Sequence, residues 1–147
     1  MRVFLDTNVI ASATATRGLC ADVLRIAIEF ENLVVSEHLL AEVQRVLRDK
    51  FGATPDLVAD VVWLLRTDTI LAESQPLANL PLEDVADIAI VSAAINSGAS
   101  LLVTGDKEIL GLGRVGELEI VSPRQYWERQ RGQQTPGGGG PTPLRSD

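Results

Sequence analysis

The chain has 147 residues, 46% of them hydrophobic, and carries a formal charge of -7 from 13 basic and 20 acidic side chains. That length suits one domain able to bury roughly two thirds of its unfolded surface and leaves no room for a second. The negative charge excludes generic attraction to phosphate backbones as a route to nucleic acid, so any such role needs a local patch or a metal.

Val3, Phe4 and Leu5 form a short apolar run that halts at Asp6, Thr7 and Asn8, the pattern of a buried strand with a carboxylate at its carboxyl end. The interruption at Asp6 and Asn8 comes too early for a signal peptide. No run approaches the roughly 20 apolar residues of a membrane span, so a soluble, cytoplasmic protein with no membrane attachment is expected. Asn8 to Thr16 is small and polar, and no element is assigned to it. Gly18 precedes Leu19, Val23, Leu24, Ile26, Ala27 and Phe30 at helical spacing, a helix ending near Glu31 and Asn32. The one cysteine, Cys20, cannot form an internal disulfide and reads as a small buried hydrophobe in a reducing compartment.

Leu33 to Val35 make a second strand, and Ser36 is a good N-cap for a helix with Leu39, Leu40, Val43, Val46 and Leu47 as its apolar positions. Glu42 sits inside that stripe, three residues from Leu39 and four from Val46, so it faces the core or a cleft. A glutamate there is costly unless a charge or a metal meets it. Thr54 and Pro55 open another helix carrying Leu57, Val58, Val61, Val62, Leu64 and Leu65, on which Trp63 is expected to pack rather than stack on a base. Thr67 to Glu73 reads as a short extended segment, and Ser74 to Pro81 as a loop with two prolines.

From Asp84 the chain runs DVADIAIVSAAINSGASLLVTGD: two acids three apart, an apolar helix, a turn at Ser97 and Gly98, and a strand over Leu101 to Val103 that stops at Thr104, Gly105 and Asp106. A second strand thus delivers an aspartate to the sheet edge that receives Asp6. Gly111, Gly113 and Gly116 mark a flexible loop, Leu118 to Val121 a last strand, and Pro123 to Arg129 a terminal helical turn. Residues 1–130 are read as the domain. From 131 to 147 a Gly/Pro-rich composition offers almost nothing to offset ordering entropy and reads as a disordered tail. Short apolar strands alternating with helices argue for a three-layer α/β/α domain with a mainly parallel central sheet, whose ligand sites gather outside the carboxyl ends of the strands.

Asp6, Glu42, Asp87 and Asp106 stand out by position, with Asp84 one turn ahead of Asp87 on the same side. Each has a simpler reading: a helix N-cap for Asp84, a first-turn acid for Asp87, a solvated helix residue for Glu42, a turn residue for Asp6 and Asp106. Jointly they are more specific than any one. Acids meeting in one cleft raise one another's pKa and persist comfortably when cations neutralise them. Hard oxygen donors suit Mg²⁺ or Mn²⁺ and the metal-assisted hydrolysis of a phosphodiester.

The blocks LDTNV with Asp6 and Asn8, SEHLLAEVQRVL with Glu42, DVADIAIVSAA with Asp87, and LLVTGDKEIL with Thr104 and Asp106 resemble, in that order and over about residues 2 to 122, a PIN-domain protein. The similarity is closest to the VapC-like branch and the PIN-family toxin components of toxin-antitoxin systems. This resemblance implies a PIN fold and a Mg²⁺- or Mn²⁺-dependent endoribonuclease. It makes Asp6, Glu42, Asp87 and Asp106 the catalytic and metal-binding acids, with Asp84 as a further ligand candidate. Asn8 and Thr104 would orient the acids or the attacking water. The implied partners are an RNA substrate, a cognate antitoxin protein and a second copy in a homodimer. The apolar helix from Leu57 to Leu65 is one surface for that dimer, and the same face also reads as core. Arg45, Lys107 and Arg114 are candidates to hold RNA phosphates, whereas Arg48 and Lys50 read equally as solvated. Three alternatives stand beside the toxin: a housekeeping RNA-processing nuclease, a catalytically silent PIN-like binding domain, and a receiver-like domain phosphorylated on a strand-end aspartate. The last leaves the inward Glu42 unexplained.

Overall fold

A computed structural model describes residues 1–73 and 75–134. In chain order the elements are β1 (Arg2–Leu5), α1 (Thr7–Ala15), α2 (Leu19–Phe30), β2 (Asn32–Ser36), α3 (Glu37–Asp49), α4 (Pro55–Arg66) and β3 (Ile70–Ala72). They continue as α5 (Val85–Asn96), β4 (Leu101–Val103), α6 (Lys107–Leu110), β5 (Arg114–Val115), β6 (Leu118–Val121) and α7 (Pro123–Gln134). The strands form a single sheet in the order β3-β2-β1-β4-β6-β5, parallel throughout except where β5 meets β6. Val3 lies beside both Leu33 and Leu101, and Leu5 beside Val103. These strands read as unbroken apolar runs because both faces of a parallel sheet are covered, and Val3, Phe4, Leu5, Leu102 and Val103 are fully buried.

The path from β1 through β2 to β3 steps one way across the sheet and the return to β4 steps the other. By the right-handed rule for such crossovers α1 to α4 belong to one face and α5 to the opposite one, where it packs on β3 and β4 and also meets α3. The first layer coheres through packing of α1 on α2 and α3, α3 on α4, and α2 on α7. The three-layer, mainly parallel architecture expected from the sequence is the one observed. Among the described residues no helix is long and apolar enough to cross a membrane.

Four local expectations are corrected. Thr7–Ala15, left without an element, is a helix: Asp6 caps it by accepting from the Thr7 N–H, and Val9, Ile10 and Ala11 are buried beneath it. Its only large apolar residues, Val9 and Ile10, are adjacent and gave too short a stripe to show a period. The glycine-marked loop instead holds the one-turn helix α6 and the β5–β6 hairpin, whose two-residue loop has Gly116 at φ 59° where only glycine sits without strain. Trp63 does not pack: it is 70% exposed, with Leu57 and Leu64 also exposed, and only Val61 and Leu65 of α4 are fully inward. The apolar positions of α4 span too much of its circumference for its contact with α3 to cover. Finally, α7 is not one turn but runs on to Gln134, so the segment read as tail begins within it. The remainder of that segment, 135–147, and Ser74 in the proline loop lie outside the described residues.

Candidate metal centre

Chain direction across the sheet reverses between β1 and β4, which makes the crevice outside their carboxyl ends the topological switch point. Two aspartates stand there. Sheet pairing continues to them, with the Asp6 N–H donating to the Val103 carbonyl at 2.9 Å and the Thr104 N–H to the Val121 carbonyl at 3.0 Å.

Asp6 is 9% exposed and held at both oxygens. Its Oδ1 accepts from the Thr7 N–H at 2.7 Å, and its Oδ2 from the Thr104 hydroxyl at 2.6 Å. Thr104 is itself fully buried, and its Oγ1 accepts from the Asp106 N–H at 3.0 Å. One hydroxyl thus ties the two strand-end acids together. Burial pushes the Asp6 carboxyl above its ordinary value, the bonds from Thr104 and Thr7 pull the other way, and the nearby Asp106 charge adds to the rise.

Asp106 is half-buried and starts α6, its Oδ1 accepting from the N–H groups of Glu108 and Ile109 at 2.8 and 3.1 Å. Asp84 does the same for α5, accepting from Ala86 and Asp87 at 2.7 and 3.2 Å. Its capping reading is therefore correct, and its charge nevertheless faces the cluster. Asp87, half-buried in the first turn of α5, is pushed up to about 6, first by burial and then by the charges of Asp106, Asp84, Asp6 and Glu108. Ligand oxygens of Asp87, Asp106 and Glu108 all lie within 4.8 Å of one another.

Glu108 is absent from the residues singled out in the sequence. Its signal was GDKEIL, an N-capping aspartate followed by a first-turn acid, which the glycine-loop reading of the following segment concealed.

The remaining candidates are not part of that close group of three oxygens. Glu42, its side chain 28% exposed on α3, receives a bond from Arg45 at 2.5 Å one turn on, and it is not among the charges that act on Asp87. Asn8 is exposed on the first turn of α1, next to Thr7 and two residues from Asp6. Lys107 is exposed at the start of α6, beside Asp106. Arg114 pairs in register with Glu119, which is level with Leu101, the first residue of β4. That places it toward the amino end of the sheet, away from the acids, with its guanidinium 3.6 Å from the Glu119 carboxylate.

The donor set fits a hard divalent cation: carboxylate oxygens only, close enough to share one ion, with mutual repulsion that a 2+ charge would relieve. Asp87, Asp106 and Glu108 would hold it directly, and buried Asp6 would contribute from the β1 side.

A family model described as the PIN domain matches residues 2–108. Among solved structures the fold is similar to VapBC2 from Rickettsia felis bound to a DNA fragment from its promoter, with TM-score 0.58, 17% identity, and 83% of this chain and 98% of that one covered. It is also similar to VapC20 from Mycobacterium tuberculosis, a toxin that cleaves the sarcin-ricin loop, with TM-score 0.57, 15% identity and coverage of 80% and 98%. VapBC-1 from nontypeable Haemophilus influenzae gives TM-score 0.54, 17% identity and coverage of 84% and 99%. No curated protein sequence matches the chain significantly.

Proposed function

Since this chain belongs to the PIN-domain family, we propose that it is a Mg²⁺- or Mn²⁺-dependent endoribonuclease that serves as the toxin of a toxin-antitoxin pair. The observation that carries the nuclease reading is the convergence of Asp87, Asp106 and Glu108 oxygens within 4.8 Å, beside the buried and doubly bonded Asp6. A divalent ion bound there would make water a better nucleophile at neutral pH and offset charge building on the phosphate.

The chain's own groups do the rest. The Thr104 hydroxyl fixes the rotation of the Asp6 carboxylate and the entry of Asp106 into α6. Asp84 concentrates negative charge on Asp87 and thereby strengthens its pull on a cation. Glu42 is retained as a further ligand on the family pattern, in which case Arg45 must release it. Asn8 is assigned to the attacking water, and Lys107 to a phosphate beside the cleaved bond. Arg114 is not assigned there, given its register and its pairing with Glu119. A protein antitoxin, a homodimer through the exposed apolar strip of α4, and a cytoplasmic setting complete the reading. The antitoxin partner is supported by the VapBC complexes among the structural neighbours.

Cleavage of a mixed RNA substrate tests the enzyme. It should require Mg²⁺ or Mn²⁺, stop with chelator, and fall in Asp6→Asn and Asp106→Asn; equal cleavage in every sample sinks the assignment. Induction in a bacterial host tests the toxin. Growth arrest relieved by Asp87→Ala supports it, and uninterrupted growth with an active nuclease favours the housekeeping alternative.

A further inference from the structure

A groove of about 480 Å³ lies between α6, the β5–β6 hairpin and the first turns of α7. Its size is that of small-ligand sites, roughly 300–1,000 Å³. Two of its walls are continuous with the metal centre. Leu110, on one wall, closes the helix that Asp106 caps and that carries Glu108, so its backbone stands about 6 Å from that of Asp106 along that single turn. Ser122, on the other wall, directly follows Val121, whose carbonyl receives the N–H of Thr104.

The polar groups of the groove are unequal. Ser122 and Gln125 satisfy each other as a capping box, the Ser122 Oγ accepting from the Gln125 N–H at 3.1 Å and the Gln125 Oε1 from the Ser122 N–H at 2.8 Å. Arg124 is different. Its neighbours Arg114 and Arg129 spend their charge on Glu119, as Arg45 does on Glu42 and Arg66 on Glu37, whereas the exposed Arg124 forms no salt bridge among the described residues. Glu128 lies one turn further along α7 and gives the groove a negative far end. Thus the cationic end adjoins the sheet edge that holds the acids. Between the two ends lie Leu110 and Ile120, and a Cβ built on Gly113 would meet no atom within 4 Å.

We propose that this groove seats the nucleotide adjoining the cleaved bond of a single-stranded RNA, with Arg124 on its phosphate and Glu128 accepting from an exocyclic amino group of its base. The proposal rests on the nuclease reading and names how that site holds its substrate. Its logic is electrostatic. A chain of charge -7 must present a local cation to each phosphate it keeps, and here the exposed Arg124, in no salt bridge among the described residues, lines a groove that shares α6 with the acids. A carboxylate at the far end discriminates bases, because adenine, cytosine and guanine carry an amino group and uracil does not.

The full chain with Arg124→Gln, Glu128→Gln, and no change is tested in two assays. In cleavage of a short oligoribonucleotide, Arg124→Gln should raise KM about ten-fold with kcat within about two-fold. Glu128→Gln should reduce the preference for amino-bearing bases over uracil at that position. In chelator, binding of the same fluorescent oligonucleotide should weaken for Arg124→Gln, and its slope of log affinity against log salt should shrink by about 0.7, one single-strand phosphate contact. Thermal melts check that both surface variants stay folded. Active enzyme whose KM, base preference and salt slope ignore both substitutions overturns the groove and leaves the nuclease standing. Binding that depends on Arg124 without any cleavage keeps the groove and overturns the nuclease. Neither cleavage nor binding by the unchanged chain overturns both.

Discussion

Replacing Thr104 by valine removes one buried hydroxyl and little else, and the structure says what that hydroxyl holds. It donates to Asp6 Oδ2 at 2.6 Å and accepts from the Asp106 N–H at 3.0 Å. A hydrogen bond to a charged group is worth about 1.5–3 kcal/mol, a stranded N–H costs about 1 kcal/mol more, and the added methyl returns up to about 0.8 kcal/mol. The net loss is about 2–3 kcal/mol, a fall in melting temperature of roughly 5–12 °C for a domain of this size. The loss should also depend on pH. Burial already raises the Asp6 pKa, and the Thr104 bond counters that rise, so the variant raises it further. A carboxyl whose folded pKa exceeds its unfolded value keeps its proton longer in the folded state; stability therefore falls as pH climbs from 3.8 to the folded value. Valine should thus cost more at neutral pH than at an acid pH below the raised folded value, where Asp6 is protonated. Denaturant unfolding of the metal-free protein at both pH values measures this, with Thr104→Ser as the control that keeps the hydroxyl. A loss below about 0.5 kcal/mol, or one equal at both pH values, refutes the role given to this bond.

Asp87 should titrate near 6 in the metal-free protein, and in Asp106→Asn its midpoint should move down toward 3.8, read by carboxyl carbon NMR; an unmoved midpoint breaks the argument for convergence. Because the folded pKa is raised, a cation must displace a proton below about pH 6, so Mg²⁺ or Mn²⁺ should raise the melting temperature more at about pH 7 than at about pH 5. Ser36→Ala removes the buried side-chain cap that accepts from the Leu39 N–H at 3.1 Å and should cost about 1 kcal/mol in denaturant unfolding; no loss would mean that β2, not the cap, sets the start of α3.

Local signals located every strand but β5, and α2, α3 and the start of α4, because each depends on a short window: apolar runs buried on both faces, a 3.6-residue stripe, a serine or threonine with free side-chain oxygen before a helix. They failed where the stabilising partner is distant. Nothing within Asn8–Thr16 announces α1, whose Val9, Ile10 and Ala11 are held by layers contributed from elsewhere in the chain. Nothing around Trp63 shows that its side of α4 would find no helix to cover it.

The sequence by itself determined the layered fold, the two strand-end acids and the serine that caps α3. Those properties follow from residue type and spacing along a few turns of chain. Which carboxylates share one space was decided by the tertiary structure alone. The return of β4 to lie against β1 sets Asp106 beside Asp6, the capped starts of α5 and α6 aim Asp87 and Glu108 into the same opening, and Glu42 is left bonded to Arg45. Electrostatic coupling falls off over a few ångströms, so distance through space, which no one-dimensional spacing between residues 6, 42, 87 and 108 encodes, is what makes a charge part of a site.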